Sequence, residues 1–172
     1  MRTFSSKLAV SLLALASAVV PAVADNAKNY PGNMCMASGA ANTRIERAST
    51  GRGMNLGPGL TTLSCPAVKD FGSIVSAKVH VIDENPASPA DGGEVSCTLR
   101  SRNLTGNEDV ETHGTEELAA GFHQGTPVAL PSFGSMPGNA VGYYFFYCSV
   151  PEPTPTTGFR SGIVMYQITE AD

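Results

Sequence analysis

The chain contains no tryptophan, no Cys-x-x-Cys pair, no run of Lys and Arg, and no long helical periodicity beyond its first 24 residues. Each absence excludes something. Trp offers the largest flat apolar face, so its lack counts against a carbohydrate module. Without Cys-x-x-Cys there is no seed for a structural zinc site. The Gly-x-Ser-x-Gly elbow of serine hydrolases, the zinc motif His-Glu-x-x-His, the phosphate loop and the dinucleotide fingerprint are also missing. Gly134-Ser135 sits in a Pro- and Gly-rich stretch without the spacing that exposes a nucleophile between strand and helix. Fifteen acidic residues stand against eleven basic ones, and an acidic chain without basic runs repels phosphate backbones. Nucleic acid and anionic membrane surfaces are therefore not expected as partners.

What is present begins with a leader. Arg2 and Lys7 precede an uncharged run from Leu8 to Val20, Pro21 breaks it, and Ala22-Val23-Ala24 supplies the small residues of a peptidase site. The run is shorter than the roughly 20 apolar residues a membrane span needs. Residues 1–24 are thus expected to be a cleaved signal peptide, leaving no membrane span in residues 25–172. The leader removes two basic residues and no acid, so the mature charge of residues 25–172 becomes −6. A secreted or periplasmic location follows, with an unidentified protein or envelope component as partner.

Four cysteines, Cys35, Cys65, Cys97 and Cys148, all follow the leader, and an even number in an oxidising compartment reads as two disulfides. Four cysteines allow three pairings. The strand pattern favours Cys97–Cys148 with Cys35–Cys65, because Cys97 and Cys148 both fall on apolar strand faces.

Residues 25–33 read as a loose polar lead-in to a secreted β domain. The following text alternates short β-rich runs with Gly, Pro, Asn and Asp punctuation. In Ile74–Ile82, Val75, Ala77, Val79 and Val81 alternate with Ser76, Lys78 and His80. Val95, Cys97 and Leu99 alternate with polar neighbours, and the Asp83–Gly93 stretch suits a hairpin-like connection. Val141–Val150 is apolar on both faces, which marks a central, covered strand. Ser161–Thr169 makes a further strand, with Ile163 and Met165 opposing Val164, Tyr166 and Ile168. Weaker strands are expected near Met34–Met36, Thr43–Ala48, Thr61–Cys65 and Pro127–Leu130. Thr115–Phe122 is the best helical candidate, at most two turns long. Eight or so strands with turns between them specify an all-β, antiparallel β-sandwich or jelly roll in one domain with two disulfides.

Leu63-Ser64-Cys65-Pro66, Val95-Ser96-Cys97-Thr98-Leu99, the tyrosine-rich run Tyr143–Pro151 and the closing Ser161–Glu170 together resemble small, uncharacterised secreted bacterial β-domain proteins. The resemblance spans Cys65 to Glu170. It implies a bacterial exported β domain and brings no catalytic residues with it.

Three groups are candidates for chemistry. The polar segment Glu108–Glu117 with His123 offers oxygen ligands for Ca²⁺, and Glu111, His113 and His123 suit Zn²⁺ or another transition metal. Such a charge run also serves as a solvated edge that discourages strand association, and no cofactor is required by any motif. Tyr143, Phe145 and Tyr147 would form an aromatic binding face if their side of the strand is open. Asn103-Leu104-Thr105 matches a glycosylation acceptor, relevant in a eukaryotic host. The leading expectation is a non-enzymatic exported β-sandwich protein with a structural, adhesive or partner-binding role. The alternative is a small secreted hydrolase or metal-dependent enzyme using the acidic and His-bearing segment.

Overall fold

The computed structural model describes residues 26–38, 45–68, 70, 72–84, 94–103, 105, 126–138, 142–153 and 160–171, together with the backbone of 109–117. Its strands are Asn26–Pro31 (β1), Met36–Ala37 (β2), Ile45–Arg47 (β3), Gly53–Asn55 (β4), Thr61–Ala67 (β5) and Ile74–Ile82 (β6). They continue with Ser96–Asn103 (β7), Asp109–Glu117 (β8), Val128–Ala129 (β9), Gly142–Val150 (β10) and Gly162–Glu170 (β11). Gly32–Met34 forms a single 3₁₀ turn. Every recorded pairing is antiparallel.

One sheet runs β3-β4-β11-β6-β9, with β1 also paired to β11; the other runs β2-β5-β10-β7-β8. The pairs nest: β7 with β8, β6 with β9, β5 with β10, β4 with β11. That nesting is a long antiparallel ribbon wound into two sheets, the topology of a jelly roll. The fold is therefore an antiparallel β-sandwich of the jelly-roll type.

The wound ribbon makes β10 and β11 the central strands, and their inward residues meet. Phe146 of β10 packs edge-on to Tyr166 of β11 at 5.5 Å and to Phe133 at 5.3 Å. The Tyr166 hydroxyl donates to the Pro66 carbonyl of the opposite sheet at 2.8 Å. Leu63, Val79, Val81, Leu99, Ile163 and Ile168 are completely buried around them. Gly32 must be glycine for a different reason: a Cβ there would collide with the Ile163 carbonyl, so β11 and the 3₁₀ turn could not approach.

Both disulfides form as expected, Cys35–Cys65 and Cys97–Cys148. Cys97 and Cys148 are direct register partners on β7 and β10. Cys35 lies one residue before the Met36–Ser64 pair that joins β2 to β5. Both bridges thus staple neighbouring strands of the five-stranded sheet, on its buried side.

Several expectations need correcting. Asn26–Pro31 is not a loose lead-in, because it pairs along β11 from Asn26–Glu170 to Pro31–Met165. β6 and β7 do not form a hairpin; they lie in opposite sheets, as consecutive strands of a jelly roll do. The helical candidate also fails where it is described, since Thr115–Glu117 belong to β8; residues 118–122 lie outside the described residues. Two register shifts explain the wrong faces. One between Ile163 and Met165 leaves Ile163, Tyr166 and Ile168 buried together, and Met165 outward. The other, opposite Thr169 and Glu170, turns Ile74 inward and leaves Val75 39% exposed. A bulge reverses the sidedness of everything beyond it, and alternation alone cannot locate one.

Candidate functional site

The two central strands differ on their outward sides. On β11 the outward residues are Met165, Gln167 and Thr169, which face His80, Lys78 and Ser76 of β6 in register. On that face Lys78 is exposed, Met165, Gln167, His80 and Ser76 are half-buried and Thr169 is buried. On β10 the outward residues are Tyr143, Phe145 and Tyr147, a column of three rings on the side away from the core.

Register supplies the neighbours of this column. Along β5, Pro66 stands beside Phe145, Ser64 beside Tyr147 and Thr62 beside Ser149. Along β7, Arg102 stands beside Tyr143, Arg100 beside Phe145 and Thr98 beside Tyr147. Met36 of β2 pairs with Ser64 and is 53% exposed at the margin.

The rings are not equally accessible. Tyr143 is 43% exposed, whereas Phe145 is only 4% exposed and Tyr147 is half-buried. Arginines lie over the two less exposed rings. The Arg102 guanidinium lies 5.0 Å above the Phe145 ring, and that of Arg100 lies 4.3 Å above Tyr147. Such contacts are worth roughly 0.5–2 kcal/mol and hold the guanidiniums over the rings. The expectation that this strand is covered on both sides is met in different ways: apolar core beneath, arginine planes above, and Tyr143 left partly open. Tyr143 and Phe145 also touch, at 5.8 Å between tilted rings.

The expected metal ligands are only partly placed. Glu111 stands opposite Ser101 and His113 opposite Leu99 on β8, and His123 lies outside the described residues. Among the described side chains no three His, Cys, Asp or Glu could hold a metal ion together. His80 stands on the other sheet.

Two polar clusters lie elsewhere. Ser161 donates to the Asp83 carboxylate at 2.7 Å, and the same carboxylate accepts from the Val95 amide at 2.9 Å. Both side chains are fully buried, so this Ser–Asp pair fastens the ends of β6 and β11 to the approach to β7 and meets no substrate. Asn55, also fully buried, donates to the carbonyls of Gly59, Val150 and Pro151 and accepts from the Gly57 amide and the Thr61 hydroxyl. It ties β4 of one sheet to β10 of the other.

The seam between β1 and β11 carries the perturbed titrations. Tyr30 stacks on Tyr166 at 5.1 Å and donates to the Val68 carbonyl at 2.7 Å. Burial pushes the Tyr166 phenol well above its ordinary range, helped by Tyr30, and burial likewise raises Tyr30. Desolvation pulls the Lys28 ammonium down, but Asp70 at 2.9 Å and Glu170 at 3.1 Å outweigh it and the net shift is upward.

Sequence reading found the aromatic column but missed its arginine partners. Arg100 and Arg102 do show the i, i+2 spacing of one strand face. What could not be read was that β7 pairs with β10 in the register that sets them over these rings.

No family model and no curated protein matches the chain. Among solved structures, a low-affinity xylan-binding module from the gut symbiont Roseburia intestinalis is 14% identical, over 85% of this chain and 96% of that one, with a TM-score of 0.45. A family two carbohydrate esterase from Cellvibrio japonicus is 7% identical, over 86% of this chain and 34% of that one, with a TM-score of 0.41. At these identities no ligand or reaction transfers to this chain.

Proposed function

We propose that this chain is an exported, non-enzymatic binding domain whose recognition surface is the outward side of β5, β10 and β7. The observation that carries this reading is the asymmetry between the sheets. Three rings stand in the outward positions of β10, whereas the equivalent positions of β11 hold Met165, Gln167 and Thr169 and no ring. Tyr, Arg and Met are also the residue types enriched where proteins meet partners, and here they are gathered on one face. Two disulfides fit maturation in an oxidising compartment. The leader pattern of residues 1–24 supports secretion or residence in the periplasm. Among the described residues no helix is long and apolar enough to cross a membrane. The partner in this reading is an envelope or extracellular component.

Capture from the native envelope or culture medium tests it. The immobilised protein is compared with Tyr143→Ser on the proposed face and with Val75→Ser, an exposed residue of the other sheet. Components retained by the wild type and by Val75→Ser, and lost with Tyr143→Ser, support the reading. Components lost only with Val75→Ser would move the surface to the other sheet.

A further inference from the structure

We infer that β1 pairs edge to edge with β1 of a second copy of this chain, joining two six-stranded sheets into one, whatever the outward side of the other sheet binds. Hydrogen-bond direction identifies the edge. Ala171, one residue beyond β11, donates its amide to the Ser73 carbonyl on the β6 side at 2.9 Å. Alternation then turns the backbone groups of Tyr166, Ile168 and Glu170 the other way, toward β1. Their register partners are Tyr30, Lys28 and Asn26, so the amides and carbonyls of Ala27 and Asn29 point away from β11. Among the described residues no strand pairs with that side of β1. Ala27 and Asn29 are both exposed.

The other edges are short, capped or charged. β2, β3 and β9 contain two, three and two residues. Beyond β2 the margin of β5 is capped. Pro66 has no amide hydrogen and its carbonyl accepts from the Tyr166 hydroxyl, while the Val68 carbonyl accepts from the Tyr30 hydroxyl. β8 is long, but Asp109, Glu111, Glu116 and Glu117 repel a second copy of it. β1 has six residues, no acid and a single cation. Asp70 and Glu170 of the same chain hold the Lys28 ammonium at 2.9 and 3.1 Å, so two β1 strands do not bring bare ammonium groups together. A strand antiparallel to its own copy is self-complementary about a two-fold axis. With the axis at Lys28, Ala27 lies opposite Asn29 of the second copy, and each such pair exchanges two backbone hydrogen bonds. Both side chains are small, and Asn29 is already turned to Gln167 of its own chain at 2.8 Å. An edge pair of this length buries little surface, so association is weak.

Sedimentation equilibrium of the protein collected after export measures the pairing, at concentrations up to about 1 mM and in about 150 mM salt to screen the acidic chains from each other. The wild-type mass should rise with concentration toward that of a dimer. Ala27→Lys with Asn29→Lys should weaken association roughly tenfold or more, because each lysine then faces another across the axis. Ala27→Glu with Asn29→Glu should do the same, and neither double variant should lower the melting temperature by more than a few degrees. An equimolar mixture of the two should recover the dimer, each lysine now facing a glutamate. Hydrogen exchange on the wild type gives a second reading that needs no variant. The amides of Ala27 and Asn29 should gain protection severalfold at high concentration, while those of Lys28 and Tyr30 stay protected at every concentration. A wild type that remains monomeric throughout would overturn the inference. So would a dimer unaffected by either double variant, a mixture that stays monomeric, or a dimer whose Ala27 and Asn29 amides exchange as fast as in the monomer.

Discussion

The two sheets of this sandwich are held together differently, and the difference bears on which one is free to bind. The five-stranded sheet is stapled twice, β2-side to β5 and β7 to β10, by bridges that span 30 and 51 residues of sequence. In the chain-entropy account loops of that length contribute about 3–4 kcal/mol each. The six-stranded sheet has no covalent fastening among the described residues. Its edge is closed by the Lys28–Asp70–Glu170 ion pairs, the stacked Tyr30–Tyr166 rings and the carboxylate of Glu170, which accepts from the Asp70 amide at 3.0 Å. The stapled sheet is also the one that carries the rings and guanidiniums on its outward side. The lesson is a separation of labour: the covalently fixed sheet presents a surface, and the non-covalently closed sheet locks the first described strand onto the last.

The largest expected effect separates the two sides of β10. Phe146→Ala empties a fully buried site between the sheets and should cost about 3–5 kcal/mol in denaturant unfolding. Phe145→Ala removes a ring lying on the sheet under one arginine and should cost distinctly less. Equal losses would erase the distinction between core side and surface side. Next comes the covalent staple. Replacing Cys97 and Cys148 together by Ala should lower stability by about 3–4 kcal/mol, read from chemical denaturation under oxidising conditions.

A smaller effect belongs to the six-stranded sheet. Lys28→Met leaves the Glu170 carboxylate, 1% exposed, without its ammonium partner and should cost about 1–3 kcal/mol. The same seam should be sensitive to alkali. Folding raises the proton affinity of Lys28, Tyr30 and Tyr166, so the folded chain keeps protons that the unfolded chain releases from its ordinary values of 10.5 and 10.0. Stability contributed by these groups is complete at neutral pH and falls as pH rises above about 10. Melting temperatures from pH 8 to 11, with phenolate absorbance followed in parallel, should show the loss beginning there. A flat profile to pH 11 would remove the seam from the stability account. The smallest effect is the most informative: Tyr143→Ser should change stability by no more than about 0.5 kcal/mol while altering binding.

How much of this was legible beforehand follows from which forces act locally. Alternation on β7 gave the right inward set, Val95, Cys97 and Leu99, all buried. The doubly apolar run around Phe145 and Phe146 marked β10 as central, and its inward Cys148 led to the correct bridge. β1 was not legible, because Asn26–Pro31 is polar and holds its place by long-range pairing with β11 and by Lys28 and Tyr30 contacts. β4 escaped notice since three residues, Gly53–Asn55, carry too little pattern, and its anchor is the five-bonded amide of Asn55. β8 carried no strand pattern because its acidic residues mark a sheet edge, where charge is tolerated. The proposed binding face was half legible. Ring spacing showed the column, but the covering of Phe145 and Tyr147 depends on a cross-strand register that only the folded chain sets.

The central claim is that partners meet the outward side of the five-stranded sheet at Tyr143. Tyrosine acetylation measures it directly, with Tyr30 of the other sheet as internal reference. The reagent N-acetylimidazole is applied to the free protein and to the protein with the retained envelope component, and modified peptides are quantified by mass spectrometry. In the free protein Tyr143, more exposed than Tyr30, should react faster, while Tyr144 and Tyr166, buried at 1% and 0%, stay unmodified. Addition of the binding component should lower the Tyr143-to-Tyr30 ratio severalfold. An unchanged ratio, or protection confined to Tyr30, would contradict the account.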